Sequence, residues 1–140
     1  MSAFMGVDLG EKRVGIAVSD EMGSIASALT SLSFQNGRQV LNEIQKIADE
    51  YRVTKIIVGF PKTLKNEIGI AAQKITKQVE WFKVNSKLEW ELWDERLSTA
   101  EVERVLLDFD ISREKRKDIR DQLAAQRILQ NYLDFHRNKK

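Results

Sequence analysis

Acidic residues at three widely separated positions have the type and placement to do chemistry: Asp8, the pair Asp94-Glu95, and Asp121. Asp8 closes the short apolar run Phe4 to Asp8 and is followed by Leu9-Gly10. A lone carboxylate ending a buried strand costs roughly several kcal/mol unless it is paired or bound to a cation. Ligand sites in α/β sheets gather at strand carboxyl ends, and Gly10 and Gly15 would let the backbone approach a phosphate closely. An Asp capping the turn of a hairpin explains the same residue equally well. Asp94-Glu95-Arg96 ends a Trp-bearing strand just before a helix start, where anions are favoured. A surface ion pair is the commoner fate of such a triplet, and strand alternation does not choose between Asp94 and Glu95. On the last helix, Asp121, Ala125, Ile128, Tyr132 and Phe135 fall at i, i+4, i+7, i+11 and i+14, so Asp121 lies at the N-terminal end of an apolar stripe. A charge there is expensive without a partner, unless that first turn projects past the sheet into water. Asp118 lies near the same face and is its rival.

Converging carboxylates point to a hard cation. The chain has no cysteine, and its single histidine, His136, lies near the C-terminus. Oxygen ligands then select Mg²⁺ or Mn²⁺ over a His- or Cys-bound zinc. Hydrolysis of a phosphodiester needs an activated water and charge relief on both the phosphoryl group and the leaving oxygen. Two divalent cations about 3.5–4 Å apart can supply all three. One acid at the end of the first strand, one at the end of the last strand and one at the start of the last helix would meet that need.

The elements that must position these acids are legible in the hydrophobic pattern. Val14, Ile16 and Val18 alternate with Gly15, Ala17 and Ser19, a period-2 strand that pairs with Phe4–Asp8 as a hairpin across Gly10-Glu11-Lys12-Arg13. Ala28 to Phe34 is a candidate third strand. Val40, Leu41, Ile44, Ile47 and Ala48 have helical spacing within Gln39 to Tyr51. Lys55-Ile56-Ile57-Val58-Gly59 is β-branched without alternation, as expected of a strand buried on both faces, and Pro61 ends it. A polar loop follows. Ile70 to Phe82 reads as a helix, Leu88 to Trp93 as a strand, and Ser98-Thr99-Ala100-Glu101 as the capping box of a further helix. Ile119 to Phe135 is the last helix. This order predicts one α/β domain over residues 1–140, with a five-stranded mixed sheet: an antiparallel meander, then parallel strands, flanked by helices.

A chain of 140 residues supports one core but not two lobes around a nucleotide. The N-terminus shows no basic-then-apolar signal segment and no apolar run reaches membrane-spanning length, so a cytoplasmic protein without a membrane partner is expected. The net charge of +2 is too small to argue for nucleic acid. Its distribution is more informative, because nine Lys/Arg against four Asp/Glu lie between Ile111 and Lys140. Arg113, Lys115, Arg116 and Lys117 could meet phosphates or form a solvated helix face. Lys62 and Lys65, in the loop after Val58-Gly59-Phe60-Pro61, could do the same.

The stretch Gly6-Val7-Asp8-Leu9-Gly10-Glu11-Lys12-Arg13-Val14-Gly15-Ile16-Ala17-Val18-Ser19-Asp20 resembles the opening motif of the YqgF/RuvX family. Val58-Gly59-Phe60-Pro61, Asp94-Glu95-Arg96-Leu97-Ser98-Thr99 and the run from Asp121-Gln122-Leu123-Ala124-Ala125 to Leu133 are similar to its second, third and fourth motifs. These bacterial RNase-H-like nucleases are described as Holliday junction resolvases and as processing enzymes for the 5′ end of pre-16S ribosomal RNA. The resemblance implies a five-stranded RNase-H fold, Mg²⁺ or Mn²⁺, and Asp8, Glu95 and Asp121 as the metal-holding catalytic acids. It selects Glu95 over Asp94 and Asp121 over Asp118. Lys12, Arg13, Lys62, Arg96, Arg116 and Lys117 are then the expected substrate contacts, with pre-rRNA or branched DNA as the substrate and a monomer or homodimer as the working unit. The sequence departs from the family pattern in the loop after Pro61 and in Ile119-Arg120 before Asp121. Two other functions compete. An actin-like or sugar-kinase phosphotransferase also uses an Asp-x-Gly loop, but needs a second lobe. A non-catalytic nucleic-acid-binding domain would tolerate loss of an acid, and all three are present.

Overall fold

The computed structural model of the chain describes residues 3–10, 12–61, 70–95 and 113–137. Strand β1 spans Ala3–Leu9, β2 Arg13–Ser19 and β3 Ala26–Ser33. Helix α1 follows at Gly37–Tyr51, then β4 at Val53–Pro61, α2 at Ile70–Asn85, β5 at Glu89–Glu95 and α3 at Arg113–Arg137. The strands form one sheet in the order β3-β2-β1-β4-β5. The first three are antiparallel neighbours, whereas β1–β4 and β4–β5 run parallel. The expected mixed five-stranded sheet is therefore present. The helix expected from Ser98 lies outside the described residues.

Side-chain alternation divides the core into two layers. Met5, Val7 and Leu9 of β1 pack with Ile56 and Val58 of β4 and Trp90 of β5, beneath Val40, Leu41 and Ile44 of α1 and Val79 and Phe82 of α2. The opposite face carries Ala17 and Ile57, covered by Ala125, Ile128, Leu129, Tyr132 and Leu133 of α3. β4 is buried on both sides, as its unbroken apolar run requires. α1 is capped by Asn36, whose side chain accepts from the Gln39 N–H at 3.0 Å, and ends on Arg52 in the left-handed region at φ 57°.

The last helix starts earlier than its apolar stripe. Arg113 to Asp118 belong to α3, although no apolar period runs through them; Arg, Glu and Lys are good helix formers without it. Asp121 thus sits about two turns inside the helix rather than in its first turn, and the helix N-terminus does not act on it directly. The stripe itself is confirmed at Ala125, Ile128 and Tyr132, while Phe135 at its end is 44% exposed.

α3 is also tied to the sheet edge. Gln130 accepts from the Ala26 N–H at 2.8 Å, and Gln126 donates to the Ala26 carbonyl at 3.0 Å. At the other edge, Trp93 of β5 meets Tyr132 and Phe135 edge-on, each at 5.2 Å between ring centroids.

Candidate active site

Asp8 lies opposite Gly15 in the β1–β2 ladder. Met5, Val7 and Leu9 occupy the α1–α2 side of β1, so Asp8 takes the other side, in line with Gly6 and Phe4 and under α3. The hairpin that follows is closed by the Gly10 N–H donating to the Arg13 carbonyl at 2.8 Å.

Two glycines decide how near α3 comes. A Cβ on Gly6 would lie 2.6 Å from the Ala125 carbonyl oxygen. A Cβ on Gly15 would overlap the carbonyl of Asp121 itself. Ala125 and Asp121 are one helical turn apart, so successive turns of α3 rest directly on bare backbone. This corrects the expectation that Gly15 makes room for a phosphate: the helix takes that room. Gly10 likewise faces the Arg13 carbonyl of its own turn.

Seated in this way, Asp121 acts on Asp8. Burial, reinforced by the negative charge of Asp121, pushes the Asp8 carboxyl from its ordinary 3.8 up to about 6, while Arg120 pulls the other way. Arg120 is a site residue that the sequence marks only as a departure from the family pattern. Asp121 has a second partner. The Arg13 Nε–H donates to its Oδ2 at 2.8 Å, and Arg13 Nη2 donates to Ser31 Oγ on β3 at 3.1 Å. Arg13, expected at the substrate, is thus found on a predicted catalytic acid. Ser31 gave no signal in the sequence, because a serine on a half-exposed edge strand is unremarkable.

The other expected residues are placed less fully. Glu95 is the last residue of β5, in register with Pro61 of β4, and Asp94 pairs with Phe60. Lys12 is exposed in the β1–β2 turn. Arg116 and Lys117 lie on the helical backbone of α3, with side chains outside the described residues, as is that of Asp118. Lys62, Lys65 and Arg96 also lie outside the described residues. Among the described residues, no three His, Cys, Asp or Glu side chains converge on one point, and no helix is long and apolar enough to cross a membrane.

The arrangement brings two carboxylates together beside an arginine at the carboxyl end of β1. The two carboxylates offer oxygen donors, and burial with a like charge disfavours the ionised form of Asp8; a hard divalent cation would relieve both effects.

Comparison with known proteins places the chain in a family. A protein of Thermoanaerobacter pseudethanolicus named "Putative pre-16S rRNA nuclease" is 46% identical over 136 residues, covering 96% of this chain and 98% of its own. One of the same name in Clostridioides difficile is 42% identical over 134 residues, covering 96% and 95%. Among solved structures, T. thermophilus RuvC in complex with a Holliday junction substrate matches with a TM-score of 0.58 at 12% identity, over 99% of this chain and 97% of that one. Fowlpox virus resolvase in complex with Holliday junction DNA matches at 0.56 and 13%, over 94% and 97%. At such identities the likeness is one of fold, and that fold is the RNase-H-like sheet of the RuvC resolvases. Residues 2–135 match the family described as "RuvX: Holliday junction resolvase", and the chain belongs to it.

Proposed function

We propose that this protein is a divalent-metal-dependent nuclease that hydrolyses phosphodiester bonds, and that it trims the 5′ end of pre-16S ribosomal RNA. The observation that carries the chemistry is the pairing of Asp8 with Asp121 at a strand end, where α3 rests on Gly15 opposite Asp8 and where burial, then the charge of Asp121, raises the Asp8 carboxyl. The ribosomal substrate rests on the relatives at 46% and 42% identity over nearly the whole chain.

Asp8 and Asp121 would hold the cation, with Glu95 as the third acid. Odd-numbered positions of β5 belong to the α3 face, since Trp93 packs there while Trp90 and Leu92 pack on the other. Position 95 shares that parity, and position 94 does not. Bound Mg²⁺ or Mn²⁺ supplies charge relief on the phosphoryl oxygens and acidifies a water. The chain's own contribution is rigid placement. Gly6 and Gly15 fix the height of α3 above β1, and the Gly10 turn fixes the end of Asp8's strand. Asp8 would ligate as the carboxylate, the form that predominates above about pH 6. Lys12, exposed beside the site, and the basic run at the start of α3 would steer a polyanion toward it.

Cleavage assays with precursor 16S RNA and with a four-way DNA junction, each in Mg²⁺ and in Mn²⁺, test the assignment. Faster cleavage of the RNA is expected, and preference for the junction would transfer the protein to recombination. The Asp8→Asn variant keeps the side chain's shape, loses its charge and should be inactive on either substrate. Undiminished cleavage by that variant would sink the mechanism.

A further inference from the structure

We propose that Arg13 is the resident counter-cation of Asp121, which a divalent ion must displace before the site can work. The inference rests on the metal-site reading above and adds a residue that controls occupancy of that site.

Two acidic groups share the carboxyl end of β1, and the charge of Asp121 opposes that of Asp8. Without a divalent ion some other cation must balance them. Arg13 does so for Asp121 from the first residue of β2, with Nε 2.8 Å from its Oδ2, while Arg120 acts on Asp8. The contact is shielded, the Asp121 side chain being 17% exposed and that of Arg13 31%. A charge-assisted hydrogen bond in such a place is stronger than a surface ion pair. The guanidinium is also held by Ser31 on the neighbouring strand, at 3.1 Å, so it is aimed at the acid rather than loosely attracted to it.

A divalent ion bound to Asp121 would compete for the same oxygen lone pairs, and two cations a few ångströms apart repel. On this proposal the two states alternate: Arg13 on Asp121 in the metal-free protein, or Arg13 released with the metal in place. Ser31 keeps the released side chain near the site. There its planar fork is suited to a phosphodiester oxygen in a way that a lysine is not. Arg13 is thus a positioning residue in the metal-free protein and a candidate substrate contact in the loaded one.

Calorimetric titration of Mn²⁺ into the wild-type protein, Arg13→Gln and Arg13→Lys tests the proposal without reference to cleavage. Removing the competitor should tighten Mn²⁺ binding by about three- to tenfold in Arg13→Gln, the worth of one partly shielded charged hydrogen bond. Arg13→Lys, which keeps the charge, should remain near the wild type. Equal or weaker binding by an Arg13→Gln variant with a native circular dichroism spectrum would overturn the inference and leave the metal site standing, with Asp121 serving both cations through its two oxygens. Absence of Mn²⁺ binding by the wild type would remove the metal site itself and the inference with it. Should Arg13→Gln not fold, the wild type alone decides. The Arg13 Nε–H resonance should shift and lose its protection from solvent exchange as Mg²⁺ is added, and an unchanged resonance at saturating Mg²⁺ would reject the exchange.

Discussion

The carbonyl of Asp121 rests on the Cα of Gly15, the residue that lies opposite Asp8 in the hairpin. Sheet and helix are thus joined at the point where the two acids meet. A methyl group at position 15 has nowhere to go, because backbone and not a flexible side-chain end occupies its place.

Gly15→Ala should therefore lift the N-terminal half of α3 and separate Asp121 from Asp8. A loss of roughly 2–4 kcal/mol in stability is expected from such overpacking against backbone, read as a lower urea midpoint. Cleavage should fall further than at Gly6→Ala, whose clash is with Ala125, one turn beyond the acid. Equal activity losses in the two variants would argue against a special role for the Gly15 contact.

Asp8 carries a stability cost that depends on pH. Its folded carboxyl keeps a proton up to about pH 6, whereas an unfolded one releases it near 3.8. Between those values the native state binds more protons, so the metal-free protein should lose stability as pH rises from about 4 to 6. Asp8→Asn should remove that slope and stabilise the metal-free protein at pH 7 by on the order of 1–2 kcal/mol. Thermal unfolding across this range checks both. Divalent-ion affinity should rise through the same window as the carboxyl ionises, with proton uptake by the buffer visible in calorimetry near pH 5.5.

At the end of β5 the two neighbouring acids should behave oppositely. Glu95→Gln is expected to lower cleavage by at least about a hundredfold, the usual cost of a missing metal ligand or its close support. Asp94→Asn should leave most activity in place. The reverse order would transfer the ligand role to Asp94.

Neutralising Arg113, Lys115, Arg116 and Lys117 together should weaken nucleic-acid binding. The slope of log affinity against log salt should fall by about 0.7–0.9 for each phosphate that is no longer neutralised. An unchanged slope would make this stretch of α3 a solvated face.

Much of this is legible in the sequence because period and burial are local properties. The alternation of β2, the unbroken β-branched run of β4 and the Gly10 turn each follow from neighbouring residues, and together they locate Asp8. The start of α3 is hidden because Arg113 to Asp118 lack the apolar stripe by which helices are read. The seat of Asp121 on Gly15 and its bond to Arg13 are hidden for another reason: they join residues a hundred or more positions apart, and nothing local marks which glycine meets which carbonyl. A physical choice of Glu95 over Asp94 needs the packing faces of β5; in the sequence, only family resemblance makes it.

The hydrogen bonds between α3 and the first hairpin have a consequence for the timing of activity. Arg13 waits 108 positions for Asp121, and Ala26 waits 104 for Gln130. While the chain is being made, all five described strands are complete before this helix exists. Asp8 spends that interval without its companion acid, so the pair on which the proposed chemistry depends is assembled only when α3 docks.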